Sequence, residues 1–281
     1  MTARTKQDLY DKFSSGGSAK HNISQIEQNY EDLIDSIRAV GTITVAASDA
    51  SDASKVKSDY QCDGTADNVE IQAAIAAVLA AGGGRVILSE GTFSLDAYII
   101  ARTEVSIVGM GFGTILQVSS GTSAHGIYSY NVTDYYIANL AIDVSLSGSA
   151  QAGGGSTPCG IYLAMSTQSE ANIQIRNIYV TGADEVGIIT LGADNVQIVD
   201  NIIEDCTFAG IHTDNQNYVV ISRNIVKDCT SYGIRITANT DYSIVADNII
   251  TGCGILNTIS LSVLDNISPL PLVWHNNLCL N

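Results

Sequence analysis

The chain has 281 residues, 46% of them hydrophobic and only 6% aromatic, which is enough apolar material for one elongated core with a small appendage. Its 13 Lys and Arg stand against 29 Asp and Glu, a formal charge of −16 that repels nucleic acid and anionic membranes and excludes both as expected partners. No run approaches membrane-spanning length, and the opening MTARTKQDLY has no apolar stretch of signal-peptide type, so synthesis and assembly in a cytoplasm are expected.

Residues 1–40 differ from the remainder of the chain. Ser24-Gln-Ile-Glu27 is a capping box, and Ile26, Tyr30, Leu33, Ile34 and Ile37 come after it at helical spacing. A shorter helix is expected from Lys6 to Phe13, with the Ser14 to Ser18 break between the two. This small α-helical leader reads either as a hairpin packed on the main body of the protein or as a module for attachment or oligomerisation. The order DLYDKF, a Gly/Ser break, then ISQIEQNYEDLIDSI resembles a short leader that opens many tailed-phage structural proteins. The resemblance implies a virion component (tail spike, tail fibre or head decoration) that is assembled in the host cytoplasm and joined to other virion proteins through residues 1–40.

A stretch rich in Ala, Ser and Asp, Ala46 to Lys57, reads as a linker into CDGTADNVEIQAAIAAVLAAGGGRVILSEGTFSL. Asp67 is placed to N-cap a helix over about 67–81, Ile71, Ile75, Val78 and Leu79 share one face, and Gly82, Gly83 and Gly84 end it. A helix of this kind closes the open end of a solenoid. The sequence of parts resembles the opening of the pectate-lyase-like right-handed β-helix superfamily: the Asp63-Gly64-Thr65 turn, the helix, the glycines, the strand Val86 to Leu88, and Gly91-Thr92-Phe93. The implied fold is all-β, a right-handed parallel β-helix over residues 41–281 with an N-terminal capping helix.

The coils announce themselves between Asn195 and Cys253. DNVQIVDNIIEDCTFAGI, QNYVVISRNIVKDCTSYGI and TDYSIVADNIITGCGI keep register, with Asn201, Asn224 and Asn248 at spacings of 23 and 24, and Cys206, Cys229 and Cys253 at the same spacings. A fixed period of this length marks a solenoid whose units bury their apolar faces on one another. Short β-branched runs such as Val196 to Ile198 and Val219 to Ile221, bounded by Asn, Asp and Gly, make each unit a β-coil. Asn139, Asn177 and Asn277 are expected to extend the asparagine column, with side chains bonded along it. The three cysteines read as a column of small apolar fillers, since no CxxC or Cys/His spacing suggests zinc. The 38-residue interval from Asn139 to Asn177 places an inserted loop at Ser147 to Pro158.

Stacking turns sequence columns into surface rows. Arg176, Asp200, Arg223 and Asp247 alternate in sign, and Glu204 and Lys227 lie in a second charged row. Gly126, Gly160, Gly187, Gly210 and Gly233 form a glycine column, each with Ile as the next residue. Period-two alternation then points Tyr128, Tyr162, Ile189, His212 and Arg235 outward, with Tyr130, Ala164, Leu191, Asp214 and Thr237 beside them. His212, Asp214 and Arg235 are the candidate catalytic residues. Superfamily members that cleave polysaccharides use outward carboxylates for hydrolysis, or a basic residue with calcium-binding acids for elimination, and this face offers one carboxylate where hydrolysis needs two. Asp205 and Asp228, one strand apart, are the candidate cation pair. Tyr128, Tyr130 and Tyr162 are candidate stacking platforms for a glycan.

Because Ile178, Ile202, Ile225 and Ile249 adjoin Tyr179, Ile203, Val226 and Ile250, one set faces outward and exposes an apolar strip. A homotrimer is expected to cover it, as in the phage spikes that the chain resembles. The expected function is a non-enzymatic phage or prophage virion structural protein. The alternatives are a polysaccharide lyase or glycoside hydrolase acting on surface glycans, and a glycan-binding module without turnover, with host-surface glycan as the further partner. No cofactor is expected.

Overall fold

The computed structural model describes residues 41–119, 124–146, 157–237, 243–254, 260–262 and 273–280. The expected leader over 1–40 and most of the expected loop at 147–158 lie outside them.

The strands of the described residues all pair in parallel, each with its counterpart in the next coil, and they fall into three stacks. One runs through Gly84–Leu88, Val105–Val108, the start of Tyr135–Asp143, Ile173 to Arg176, Val196 to Val199, Val220–Ser222 and Ile244–Ala246. A second runs through Gly91–Leu95, Thr114–Val118, Ala141 to Asp143, Tyr179 to Thr181, Ile202–Glu204, Ile225–Lys227, Ile249–Thr251 and Leu278–Leu280. The third runs through Ile99–Ile100, Ile127–Tyr130, Ile161 to Ala164, Val186 to Leu191, Ala209–Asp214, Tyr232–Thr237 and Ser260–Ser262. This is a parallel β-helix. Its interior is one continuous aliphatic cluster, dominated by Ile and Val, from Val45 to Cys253.

The stretch expected to be a linker is part of the body. Ala46, Ala47 and Ala50 are buried in the first turn of the solenoid, and helix α1 (Asp52–Lys57) comes next, N-capped by Ser51, whose Oγ accepts from Ser54 N at 3.3 Å. Small Ala and Ser residues here serve close packing. Helix α2 (Asn68–Ala80) packs on Thr42–Ala46 and Gly84–Leu88 with Ile71, Ala74, Ile75 and Val78 buried. Leu79 turns out to solvent, because the buried stripe runs along positions 71, 74/75 and 78 and leaves 79 on its flank. Asp67 does not cap the helix with its side chain. Its buried carboxylate instead accepts Gly64 N at 2.9 Å and Ser94 N at 2.8 Å, tying the Asp-Gly-Thr turn to the first coil. No helix among the described residues is long and apolar enough to cross a membrane.

The asparagine column is shorter than its spacing suggests. Asn201, Asn224, Asn248 and Asn277 stack: each Oδ1 accepts from the backbone N of the preceding coil at 2.9–3.0 Å. Each Nδ2 donates to a carbonyl across the coil (Ile175, Ile198, Ile221 and Val245) at 2.8–3.0 Å. Asn177 and Asn139 belong to the adjacent corner. They share left-handed backbone with Asp200, Arg223, Asp247 and Asn276, and are joined to each other at 2.8 Å on the surface. The ladder position in those coils is held by Leu140 and Ile178, both buried. Asparagine tolerates left-handed backbone and also makes ladders, so the residue type alone does not separate the two columns.

The same one-residue correction moves the charged rows. Arg176 pairs in register with Val199 and donates to Gln197, while the true row pairs Arg223 with Asp200 through two bonds of 2.6 and 2.8 Å. Lys227 pairs with Glu204, and Thr181 precedes them in that row. The outward apolar set is Tyr179, Ile202, Ile225, Ile249 and Leu278; Val180, Ile203, Val226 and Ile250 fill the core.

Replacing Asn224 by Leu orphans two backbone groups and the neighbouring amides, and is expected to lower unfolding stability by about 1–3 kcal/mol in urea titrations. Asn177→Gly, at the exposed corner where glycine takes up the left-handed backbone without strain, is expected to cost well under half of that; equal losses would contradict the ladder described above.

Candidate functional site

The glycine column exists because the core leaves no room for a Cβ. Built on Gly126, Gly160, Gly187, Gly210 or Gly233, it would lie 2.2–2.4 Å from the inward Ile142, Val180, Ile203, Val226 or Ile250. The strands that start from these glycines carry two outward rows on one face. The first is Ile100, Tyr128, Tyr162, Ile189, His212 and Arg235, and the second is Tyr130, Ala164, Leu191, Asp214 and Thr237.

His212, Asp214 and Arg235 do meet. Arg235 Nη1 lies 3.3 Å from His212 Nε2. A guanidinium only donates, so Nε2 accepts and the imidazole proton sits on Nδ1. Thr237 Oγ1, 3.1 Å from the same Nε2, is 2.6 Å from Asp214 Oδ1, and its single proton goes to the carboxylate. The Arg235 guanidinium packs over the rings of Phe208 and Tyr232, at 5.1 and 5.6 Å from their centroids. Thr237, Phe208 and Tyr232 were not part of the candidate constellation read from sequence. Phe208 lies in the bend before its strand and Tyr232 is the first residue of the strand in the next coil, so neither direction follows from the alternation set by the inward Ile; their recurrence near the glycine column was the available signal.

Burial first, then the Arg235 charge, lowers the His212 pKa to about 4, with Asp214 opposing. At neutral pH the ring is unprotonated, but a base of that strength sits about three units below the value at which proton abstraction is efficient. With His212 9% exposed and a single carboxylate beside it, the cluster holds itself together more than it opens toward a ligand.

The three candidate tyrosines also come together, joined by Tyr98 and His125. Tyr128 stacks on Tyr162 at 5.4 Å and 20°, and on His125 at 5.4 Å and 13°. Those ring faces are spent on each other. Tyr130, 54% exposed and tilted 58° to Tyr128, and the partly exposed Tyr98, 4.8 Å from Tyr128, offer the free aromatic surface. Burial, with the Tyr130 hydroxyl alongside, pushes Tyr162 up to about 12. His125 is buried, accepts Cys159 N at Nδ1 (3.0 Å), and is lowered to about 4 by burial.

Asp205 and Asp228 occupy an exposed left-handed corner with Gly182 and Gly252, and their backbone amides bond to Lys227 and Thr251 carbonyls. Among the described residues, the acidic, Cys or His group whose ligand atoms gather within 4.8 Å is instead Cys62, Asp67 and Glu70. Both Asp67 oxygens there already hold backbone amides. Cys206, Cys229 and Cys253 are buried, and each thiol faces the carbonyl two residues back at 3.4–3.6 Å. Bonding between neighbouring thiols, with burial, pushes Cys229 and Cys253 far up, as suits an inert filler column.

Stacked parallel coils of this kind, with charged and aromatic side chains displayed on one outer face, define the right-handed β-helix class. The family model for the right handed beta helix region matches residues 104–266, more than half the chain, and the chain belongs to that family. No curated protein matches the sequence. Among solved structures it is similar to the A-module of Azotobacter vinelandii mannuronan C-5 epimerase AlgE4, with 21% identity, TM-score 0.62, and 77% of this chain and 61% of that one covered. The AlgE6 A-module of the same organism gives 22%, 0.60, 68% and 54%. Polygalacturonase of Erwinia carotovora subsp. carotovora gives 13%, 0.56, 85% and 69%. The chain thus spans less than two thirds of either epimerase module, and identities of this size speak for shared fold alone.

Both buried imidazoles titrate near 4 when folded and near 6.5 when unfolded. The unfolded chain therefore binds more protons between those values, so stability is complete above about pH 6.5 and falls as pH drops toward 4, by up to about 3 kcal/mol per histidine. Urea midpoints measured from pH 7.5 to 4.5 are expected to show this slope, and His125→Gln or His212→Gln to flatten it; an unchanged slope in both variants would refute the assignment.

Proposed function

We propose that the protein is a structural component of a phage or prophage virion, of the tail spike, tail fibre or head decoration type, without glycan-cleaving activity. The observation that carries this reading is the self-pairing of its polar surface. Arg223 is bonded to Asp200 and Lys227 to Glu204, so those charges neutralise each other between coils, and the Asp214 carboxylate is held by the Thr237 hydroxyl; none of these pairs converges on a reacting bond. The leader over residues 1–40, with its likeness to tailed-phage leaders, supports attachment to other virion proteins. On this reading the protein is assembled in the host cytoplasm and resides in the virion.

The strip formed by Tyr179, Ile202, Ile225, Ile249 and Leu278, extended by Phe112 at 6.0 Å from Tyr179, supports a homotrimer about the solenoid axis. A second reading, a polysaccharide lyase or glycoside hydrolase, is favoured by the contact of His212, Arg235, Thr237 and Asp214 on an outer sheet face. A third, host-glycan binding without turnover, would use the free rings of Tyr130 and Tyr98.

Incubation with pectate, alginate and host capsule, with and without calcium, is expected to release neither unsaturated ends nor reducing sugar. Turnover that disappears in Arg235→Ala or Asp214→Ala would put the enzyme reading first. Light scattering at micromolar concentration is expected to give three times the chain mass, and Ile225→Asp with Ile249→Asp to give monomer. A monomeric parent protein would remove the trimer.

A further inference from the structure

The start of the solenoid gathers three groups that the outer rows do not use. Cys62 is the residue after the strand Tyr60–Gln61, and its amide bonds the Ala46 carbonyl at 2.9 Å, which fixes it to the first coil. Asp67 and Glu70 are three residues apart at the start of helix α2, a spacing that sets both carboxylates on one side of its first turn. The Asp63-Gly64-Thr65 turn folds the two stretches together, so that Cys62 Sγ, an Asp67 oxygen and a Glu70 oxygen all lie within 4.8 Å of one another.

Each of the three has bonding capacity left over. Cys62 is 7% exposed, and its thiol meets the Asp67 carbonyl at 4.0 Å, too far for a bond of any strength. Glu70 Oε2 is closed off from solvent without a hydrogen-bond partner. Asp67 is fully buried; the Gly64 and Ser94 amides take one lone pair on each of its oxygens and leave one on each. The ion pairs of the described residues, Arg223 with Asp200 and Lys227 with Glu204, lie in later coils and do not balance this charge. Two adjoining carboxylates suit a cation, and the thiol decides which: calcium and magnesium take oxygen ligands, whereas zinc and its neighbours bind thiolate and carboxylate together. A tetrahedral zinc, with bonds of about 2.3 Å to sulfur and about 2.1 Å to oxygen, holds its ligand atoms roughly 3.5 Å apart, so the three groups close in by about 1 Å. Glu70 is half-buried, which gives an entry route from solvent and a place for water as the fourth ligand. The two amides on Asp67 orient it from behind, as partners of a ligating carboxylate do.

We propose that Cys62, Asp67 and Glu70 form a site for one zinc-class divalent cation, which clips the capping helix to the first coil. On binding, Cys62 Sγ bonds the metal and its proton leaves to solvent, one per ion. The site belongs to the capped end of the solenoid and is independent of the outer cluster of His212 and Arg235, so it holds whether the protein is a virion component, an enzyme or a glycan binder.

Titration of the chelator-treated full chain with Co2+ is expected to raise a thiolate-to-cobalt charge-transfer band that saturates at one equivalent, releases one proton per ion and is bleached by Zn2+. Cys62→Ala is expected to abolish the band and Glu70→Gln to weaken binding about tenfold, while Cys279→Ala, at an exposed thiol, leaves both unchanged. With free Zn2+ at about a hundred times its dissociation constant, the unfolding equilibrium constant is expected to fall about a hundredfold in the parent and to stay unchanged in Cys62→Ala. A parent protein without the band, or a band that survives Cys62→Ala, overturns the proposal. Equal stabilisation by Ca2+ overturns it too, since that marks a carboxylate site without the thiol. A cobalt band with no stabilisation by Zn2+ removes the clip. Should Cys62→Ala not fold, the Glu70→Gln titration decides, and an affinity equal to that of the parent refutes the site.

Discussion

Nearly every contact that shapes this protein is made between a residue and its counterpart one coil away, about 4.8 Å along the axis. Parallel pairing fixes that distance, so a residue type chosen in one coil constrains the same position in the next. Like side chains stacked at this spacing must either bond to each other or fill space without harm. The buried asparagines do the first, with every Oδ1 and Nδ2 used. The thiols of Cys206, Cys229 and Cys253 and the aliphatic rows do the second.

The same constraint decides what the surface offers. Two like charges one strand apart repel, and two exposed rows alternate in sign, Asp200 with Arg223 and Glu204 with Lys227, while Asp205 and Asp228 stack as like charges at a solvent-exposed corner. Aromatic neighbours spend their faces on each other, which is why Tyr128 and Tyr162 are poor platforms and Tyr130, off the row, is the open one. The cluster of His212, Arg235, Thr237 and Asp214 obeys the rule as well: each group is held by one in the next coil, and the imidazole is buried and weakly basic. A scaffold that satisfies its own polar groups in this way is stable and selective about what it leaves free.

The sequence alone determined the architecture. A period of 23 or 24 residues, β-branched runs and the opening from Asp63 to Phe93 sufficed for a parallel β-helix closed by a helix, because repeat length and alternation are one-dimensional properties that survive being written as a string. They also sufficed to place Tyr128, Tyr162, His212 and Arg235 in one outward row, since register within a strand is inherited from its glycine. Tertiary structure decided what lies at the corners. Asn177 and Asn201 are the same residue at a plausible spacing, yet one sits in left-handed surface backbone and the other in the core, a difference of one position set by the turn between strands. Likewise Asp67 reads as a helix cap but reaches Ser94, a partner 27 residues away that only the closed coil brings near. Phe208, in the bend before its strand, and Tyr232, the first residue of the strand in the next coil, flank Arg235 from the strand entrance, and Gln216, two residues past its strand, turns inward to reach Thr190. Strand periodicity fixes direction along a strand; at a corner the direction of a side chain depends on backbone angles that are settled only when the coils stack.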